Sequence, residues 1–252
     1  MKLIEKFLKT IKKLRAPEGC PWDRVQTHKT LKRYLIEETY EAIDAIEKND
    51  YKAIKEELGD ILLQIVLHAQ IAKEKRHFTF DDIVSHINKK MISRHPHVFG
   101  NTKVKNVSEV MKNWEILKKK EKPTRAEIED GIPNSLPALL KAWKISKKVA
   151  KEGFNWKKEA DLWKTFEEEL KEFKSAKTRR DKVEELGDLL FMIVNIARWY
   201  KIDPEDTLNQ GTKKFIKRYD KVKKQVKNNL TGLSSKELNK LWKKIKEKEK
   251  RR

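Results

Sequence analysis

The chain has 252 residues, 60 Lys+Arg against 39 Asp+Glu, a formal charge of +21, 8 Gly, 7 Pro and one Cys. A lone Cys forms no internal disulfide, which excludes a stapled secreted domain and points to a reducing, cytoplasmic compartment. The longest apolar stretch, Ile61 to Ala72, is broken by Gln64, His68 and Gln70 and falls short of the roughly 18 residues that span a bilayer, so no membrane partner is expected.

In chain order, the N-terminal MKLIEKFLKTIKKLR is amphipathic and has no signal-peptide core. A helix is predicted over 27–48, with Leu31, Leu35, Tyr40, Ile43 and Ile46 near helical spacing and Thr27 or Thr30 as its cap. A second, over 51–74, is expected to turn Ile54, Leu58, Ile61, Ile65 and Leu67 inward. Asp81 opens a third that runs to Arg94, where His95-Pro96-His97 stops it, because the proline ring clashes with a continuing helix. A fourth is predicted over 108–121. The stretch 118–137, KKKEKPTRAEIEDGIPNSLP, holds three of the seven prolines and reads as a linker. Beyond it, helices are predicted over 139–151, 159–176, 180–200, 204–224 and 235–250. Few glycines and prolines, with short connections, predict an all-α fold of antiparallel bundles.

The chain repeats itself. Glu37-Glu38-Thr39-Tyr40-Glu41 and Glu56-Glu57-Leu58-Gly59-Asp60 recur as Glu168-Glu169-Leu170-Lys171-Glu172 and Glu184-Glu185-Leu186-Gly187-Asp188. Trp22 matches Trp156, Lys90–Arg94 matches Lys214–Arg218, and Trp114 matches Trp242. Asp60 to Trp114 and Asp188 to Trp242 are both 54 residues. Five landmarks in one order predict two homologous domains, 1–117 and 138–252, joined by 118–137.

The acids carry the chemistry. Glu38 and Glu41 are three apart on one helix face, as are Glu57 and Asp60, Glu169 and Glu172, and Glu185 and Asp188. Antiparallel packing of the two helices of a copy gathers four carboxylates, which repel one another unless a cation lies between them. An oxygen-only donor set suits Mg²⁺, with Mn²⁺ as a substitute, rather than zinc. Gly59 and Gly187 interrupt helices at a cost of about 1 kcal/mol each, which suggests close approach by a neighbouring helix or a ligand. All six His precede residue 100 and the only Cys is Cys20, so chemistry common to both copies rests on neither. No Walker A loop, zinc spacing or Ser-His-Asp arrangement occurs. Lys214 and Arg218, and likewise Lys90 and Arg94, project from one helix face and suit polyphosphate oxygens. Tryptophans at 22, 114, 156 and 242 read chiefly as core, with Trp114 and Trp242 the candidates for stacking on a base.

The charge of +21 suggests nucleic acid, but only about a dozen of the basic residues are Arg and the tail KKIKEKEKRR alternates with Glu. The excess therefore reads as solvated, Lys-rich helix faces, and nucleic acid is not an expected partner. A non-catalytic nucleic-acid-binding protein, or a helical interaction module, is the rival reading.

These landmarks resemble the MazG family of nucleoside triphosphate pyrophosphohydrolases, over roughly 8–250. The stretches that carry the resemblance are LRAPEGCPWDRVQTHKTL, YLIEETYEAIDAI, EELGDILLQIVLHAQ and RHPHVFG, then EDGIPNSLPALLKAWKISKKVAKEGFNW and VEELGDLLF. The resemblance implies tandem helical bundles completed by homodimerisation. It implies Mg²⁺-dependent cleavage of an NTP or dNTP between the α and β phosphates by metal-activated water, giving a monophosphate and pyrophosphate. The family's metal positions fall on Glu169, Glu172, Glu185 and Asp188, with Glu38, Glu41, Glu57 and Asp60 as first-copy equivalents. Its nucleotide contacts fall on Thr165, Glu168, Lys182, Glu184, Lys214, Lys217, Arg218 and Trp242, with Lys90 and Arg94 in the first copy. Glu168, Glu184 or the metal alone would activate the water. The family's usual Asn is Thr212 here and one Arg is Lys217, so the phosphate contacts depart from the pattern while all four acids stand in both copies.

Overall fold

The computed structural model describes residues 2–121, 128–226 and 229–250. Every regular element among them is a helix. The chain divides into two compact units, Met1–Glu121 and Lys122–Arg252. Residues 122–127, within the expected linker, lie outside the described residues.

The amphipathic N-terminus forms α1 (Lys2–Leu14), and a Pro-initiated turn, α2 (Pro21–Val25), follows. Helix α3 (His28–Glu47) begins in a capping box: Thr30 N donates to Thr27 Oγ1 while Thr27 N donates to Thr30 Oγ1. The cap of α4 (Tyr51–Glu74) is Asp50, which accepts from the backbone N–H groups of Lys52 and Ala53, both at 3.1 Å. Both threonines proposed as the α3 cap thus take part. Thr79 and Asp82 box the start of α5 (Phe80–Arg94), and Pro96 restarts the chain as α6 (Pro96–Phe99), followed by α7 (Val107–Glu121).

The second unit opens with α8 (Ala138–Lys151) and α9 (Glu159–Ser175). Thr178 and Asp181 box the start of α10 (Arg179–Trp199), and Asp203 caps α11 (Pro204–Gln225). Helix α12 (Ser235–Lys250) follows. In each unit the dominant packing is a helical hairpin, α3 on α4 and α9 on α10. Connections of three residues force the two helices of a hairpin antiparallel. Helix α1 then covers α4, and α8 covers α10.

Burial departs from the sequence reading on α4, and Trp22, read as core, is exposed. The first-unit core is Ile11, Leu31, Val66, Leu67 and Ile71, with Phe7, Leu8, Tyr34, Leu63 and Phe80 packed around it. Leu58 and Ile65, expected inward, are exposed, as are Tyr40, Ile43 and Ile46. The reason is that α4 is apolar on two faces: α1 and α3 cover one, and Leu58, Leu62 and Ile65 stand on the other. With Ile36, Tyr40 and Ile43 of α3 they make an apolar stripe at i, i+4, i+7 spacing. Leu186, Leu190 and Ile193 repeat it on α10. In the second unit, Leu162, Met192, Val194, Val222 and Ile245 are buried.

Candidate metal and nucleotide site

The hairpins bring the predicted acids together. Glu38 and Glu41 lie on α3 and Glu57 and Asp60 on α4, all within about three turns of the connection, so antiparallel packing sets them at one level. Carboxylate oxygens of Glu38, Glu41 and Glu57 lie within 4.8 Å of one another, and so do those of Glu169, Glu172 and Glu185. Asp60 and Asp188 fall outside that spacing but are near enough to act electrostatically.

The electrostatics of the two clusters match. Desolvation, then repulsion from Asp60, Glu41 and Glu57, pushes the Glu38 carboxyl above its ordinary value. Glu57 rises by desolvation and by the charges of Glu41 and Asp60. In the second unit Glu169 rises by desolvation and by Glu172, Asp188 and Glu185, and Glu185 by desolvation and by Glu172 and Asp188. Each cluster is therefore a set of hard oxygen donors under mutual repulsion, which fits a hard divalent cation. A Cβ placed on Gly59 or Gly187 would meet no atom within 4 Å. Close approach by a neighbouring helix of the same unit, one of the two reasons suggested for these glycines, is therefore not what the described residues show.

The other expected contacts are distributed as follows. Glu168 and Glu184 flank the second cluster on the exposed side and add to the repulsion on Glu169 and Glu185. Glu168 also faces Lys164 at 3.7 Å. Thr165 Oγ1 donates to Asp161 O at 3.0 Å and accepts from Trp156 Nε1 at 3.1 Å, which ties Trp156 to α9. Lys182 Nζ stands 5.5 Å from the Phe173 ring centroid. Lys214 and Lys217 are exposed on α11, and Lys90 and Arg94 are half-buried on α5. Arg218 is partly buried, and its Nε donates to Glu249 Oε2 at 2.8 Å. Trp242 leans on Phe215, ring centroids 5.1 Å apart, and its first-unit counterpart Trp114 meets His95 edge-on at 5.0 Å.

Two features escaped the sequence reading. Arg15 is nearly buried and binds Glu74 at 2.7 Å, while its Nη1 donates to Asp23 O, tying α1 and α2 to the end of α4. Arg15 lowers the Glu74 carboxyl below its ordinary value. Glu249 is the second, and its only sequence trace is a place in the alternating Lys–Glu tail.

No helix among the described residues is long and apolar enough to cross a membrane. The family model described as "MazG nucleotide pyrophosphohydrolase domain" matches residues 26–99 and again 158–223, so each match encloses one hairpin with its acids. The chain is 44% identical, over 97% of its length and 96% of the relative's, to the "Nucleoside triphosphate pyrophosphohydrolase/pyrophosphatase MazG" of Thermotoga maritima. It is 38% identical, over 99% of both chains, to the "Nucleoside triphosphate pyrophosphohydrolase" of Escherichia coli K12. Among solved structures, the crystal structure of a mazG-related protein from Thermotoga maritima aligns with a TM-score of 0.40 at 30% identity, covering 46% of this chain and 98% of that one.

Proposed function

The chain belongs to the MazG nucleotide pyrophosphohydrolase family, and from that premise we propose that it hydrolyses nucleoside triphosphates, ribo or deoxy, between the α and β phosphates. Hydrolysis of an acid anhydride is the chemistry its relatives are named for. The observation that carries the reading to these residues is the carboxylate triad, built twice at equivalent positions, in which Glu38 and Glu57, like Glu169 and Glu185, are raised by desolvation and by neighbouring acids.

In this reading Glu169, Glu172, Glu185 and Asp188 hold Mg²⁺, and Glu38, Glu41, Glu57 and Asp60 form the equivalent set. When bound, the cation polarises phosphate oxygens and lowers the pKa of coordinated water. The chain's own residues do the rest. Glu168 and Glu184, exposed beside the cluster, are the candidates to take a proton from the attacking water. Lys182, Lys214, Lys217 and Arg218 neutralise the departing pyrophosphate, with Lys90 and Arg94 in that role in the first copy. Trp242, backed by Phe215, offers an aromatic face to a base, and Thr165 shapes the site wall. The apolar stripes on α3, α4 and α10 support homodimerisation as the means of covering them. The division into two compact units, which meet at 121/122, supports two domains, with the expected bounds 1–117 and 138–252, and the single Cys accords with a cytoplasmic setting.

The test is a panel of ribo- and deoxynucleoside triphosphates with Mg²⁺, assayed for monophosphate and pyrophosphate. Orthophosphate and a diphosphate as products, or no turnover, would refute the reading. Glu185→Gln with Asp188→Asn is expected to abolish turnover by the second copy with helicity retained in circular dichroism. Full activity in that variant would move the reaction to the first copy.

A further inference from the structure

Each hairpin is fastened at the end away from its connection by a hydrogen-bonded pair of titratable side chains, and the two pairs differ. In the first unit His28, the first residue of α3, meets His68 of α4, Nδ1 to Nδ1 at 2.7 Å. The rings are parallel within 2° and their centroids lie 5.0 Å apart. That separation exceeds the Nδ1–Nδ1 distance by the two ring radii, so the rings lie edge to edge in one plane with both Nδ1 atoms on the line between them. One proton fits between the two nitrogens and a second does not. His28 is exposed and His68 half-buried, which makes His28 the donor and His68 the acceptor. Burial, then the charge of His28, lowers His68 below its ordinary value. In the second unit Glu159, the first residue of α9, takes the equivalent place, ten residues ahead of Glu169 as His28 is ahead of Glu38. Tyr200 Oη, just past the end of α10, donates to Glu159 Oε1, and Trp163 Nε1 donates to Tyr200 Oη at 3.2 Å. The hydrogen bond to Glu159 holds Tyr200 above its ordinary value. Ile196 stands where the first copy has His68.

We propose that His28 and His68 form a single-proton clamp on the first hairpin, which mild acid releases by protonating His68, while Glu159 and Tyr200 keep the second hairpin closed. One proton added to the neutral pair goes to the outer Nε2 of His28 and leaves the bond in place. The next goes to His68 Nδ1, faces the Nδ1–H of His28 and ends the bond, leaving two adjacent cations that repel. The second pair holds no group whose ordinary pKa falls between about 5 and 8. Other charges around His68 do not take its part. Lys29 and Lys32 are exposed on α3, and Glu74 is held by Arg15. Helices α1 and α5 bring Lys9, Lys12 and Asp81 against Ala69, Gln70 and Lys73, which helical spacing sets on the side of α4 away from His68. Because the folded value of His68 is lowered, folding carries no penalty above the ordinary 6.5; the penalty grows as pH falls below it and is complete below the lowered value. Glu38 and Glu57, raised within the same hairpin, gain on protonation and so do not imitate this loss. Glu38 and Glu41 ride on α3, so release loosens the first acid cluster and not the second. The catalytic consequence rests on the reaction proposed above, and the clamp itself does not.

Amide hydrogen exchange of the full chain in EDTA, corrected for the intrinsic rate at each pH, reads the clamp without metal or turnover. From about pH 7.5 to about pH 5, protection of the N-terminal half of α3 is expected to fall about tenfold, as fits loss of one hydrogen bond to a charged group, while that of α9 holds. His68→Gln keeps an acceptor that does not titrate and should stay protected at both values. His28→Ala should show the low protection at both, and in an NMR titration its His68 midpoint should lie above that of wild type, since the neighbouring charge is gone. Should His28→Ala lose helicity, His68→Gln decides alone. Equal protection of α3 at both pH values in wild type, an equal fall in α9, or a pH dependence that survives His68→Gln would overturn the proposal. A negative NTP panel leaves this result standing, and unchanged exchange in α3 leaves that panel standing.

Discussion

Carboxylates of the same molecule behave oppositely according to their neighbours. Glu169 and Glu185 sit among acids and are raised, whereas Glu74 and Glu249 sit among cations and are lowered. For a raised carboxyl the folded state holds its proton more tightly than the unfolded chain does. Its penalty is complete above the raised folded value and disappears as pH falls below the ordinary 4.5. For Glu74 and Glu249 the contribution is stabilising above the ordinary value and is lost as pH falls through their folded values, about 2 for Glu249. In EDTA at neutral pH, Glu185→Gln is therefore expected to melt above wild type, and the difference to shrink as pH is lowered through the carboxylate range. With Mg²⁺ the order should reverse, since the cation stabilises only the protein that binds it. Thermal melts of both proteins across pH, with and without Mg²⁺, check this. A second residue-scale expectation concerns Ser146, which is wholly buried. Its Oγ donates to Asn195 Oδ1 and accepts from Arg198 Nε, each at 2.6 Å, and Arg198 passes on to Asn155 at 2.7 Å. Ser146→Ala leaves a buried acceptor and a partly buried guanidinium short of a partner. It should cost about 1–3 kcal/mol in urea denaturation.

At the scale of the helix, position within an element decides function. The acids sit near the hairpin connections because α4 and α10 start there, and each start is held by a side-chain cap. Thr178 and Asp181 satisfy reciprocal donors at the head of α10, two turns ahead of Glu185. Thr178→Ala is expected to cost about 0.5–2 kcal/mol and to raise the Mg²⁺ concentration needed for half the thermal shift, because fraying of the first turns loosens Glu185. Equilibrium unfolding and a Mg²⁺ titration by melting measure the two effects. The helices and their ends were legible in the sequence, since Thr, Asp and Pro mark ends locally and α5 stops before Pro96 as its ring requires. The orientation of α4 was not. Apolar residues occur on both of its faces, and a one-dimensional pattern does not say which face the same chain covers.

For the whole molecule, the unpartnered stripes are the leading feature. Leu58, Leu62 and Ile65 on α4 and Leu186, Leu190 and Ile193 on α10 occupy equivalent places in the two copies and are exposed in both. An amphipathic surface repeated in this way costs solubility unless another surface covers it. Sedimentation of the purified chain at micromolar concentration should give a dimer, and Leu62→Glu with Leu190→Glu should shift it to monomer with helicity unchanged. A wild type that sediments as a monomer would remove dimerisation from the functional reading.

The sequence by itself determined that there are two copies, that both are helical, and which eight acids recur. These are properties of spacing along the chain, and a helix turns spacing directly into a shared face. Only the tertiary structure decided which apolar face of α4 is buried, that Asp60 and Asp188 stand back from the closest carboxylates, and that Glu249 takes Arg218 and Lys221 from across the α11–α12 pair. Those outcomes depend on how separate helices meet, and a contact between residues 218 and 249 leaves no periodic trace in the chain between them.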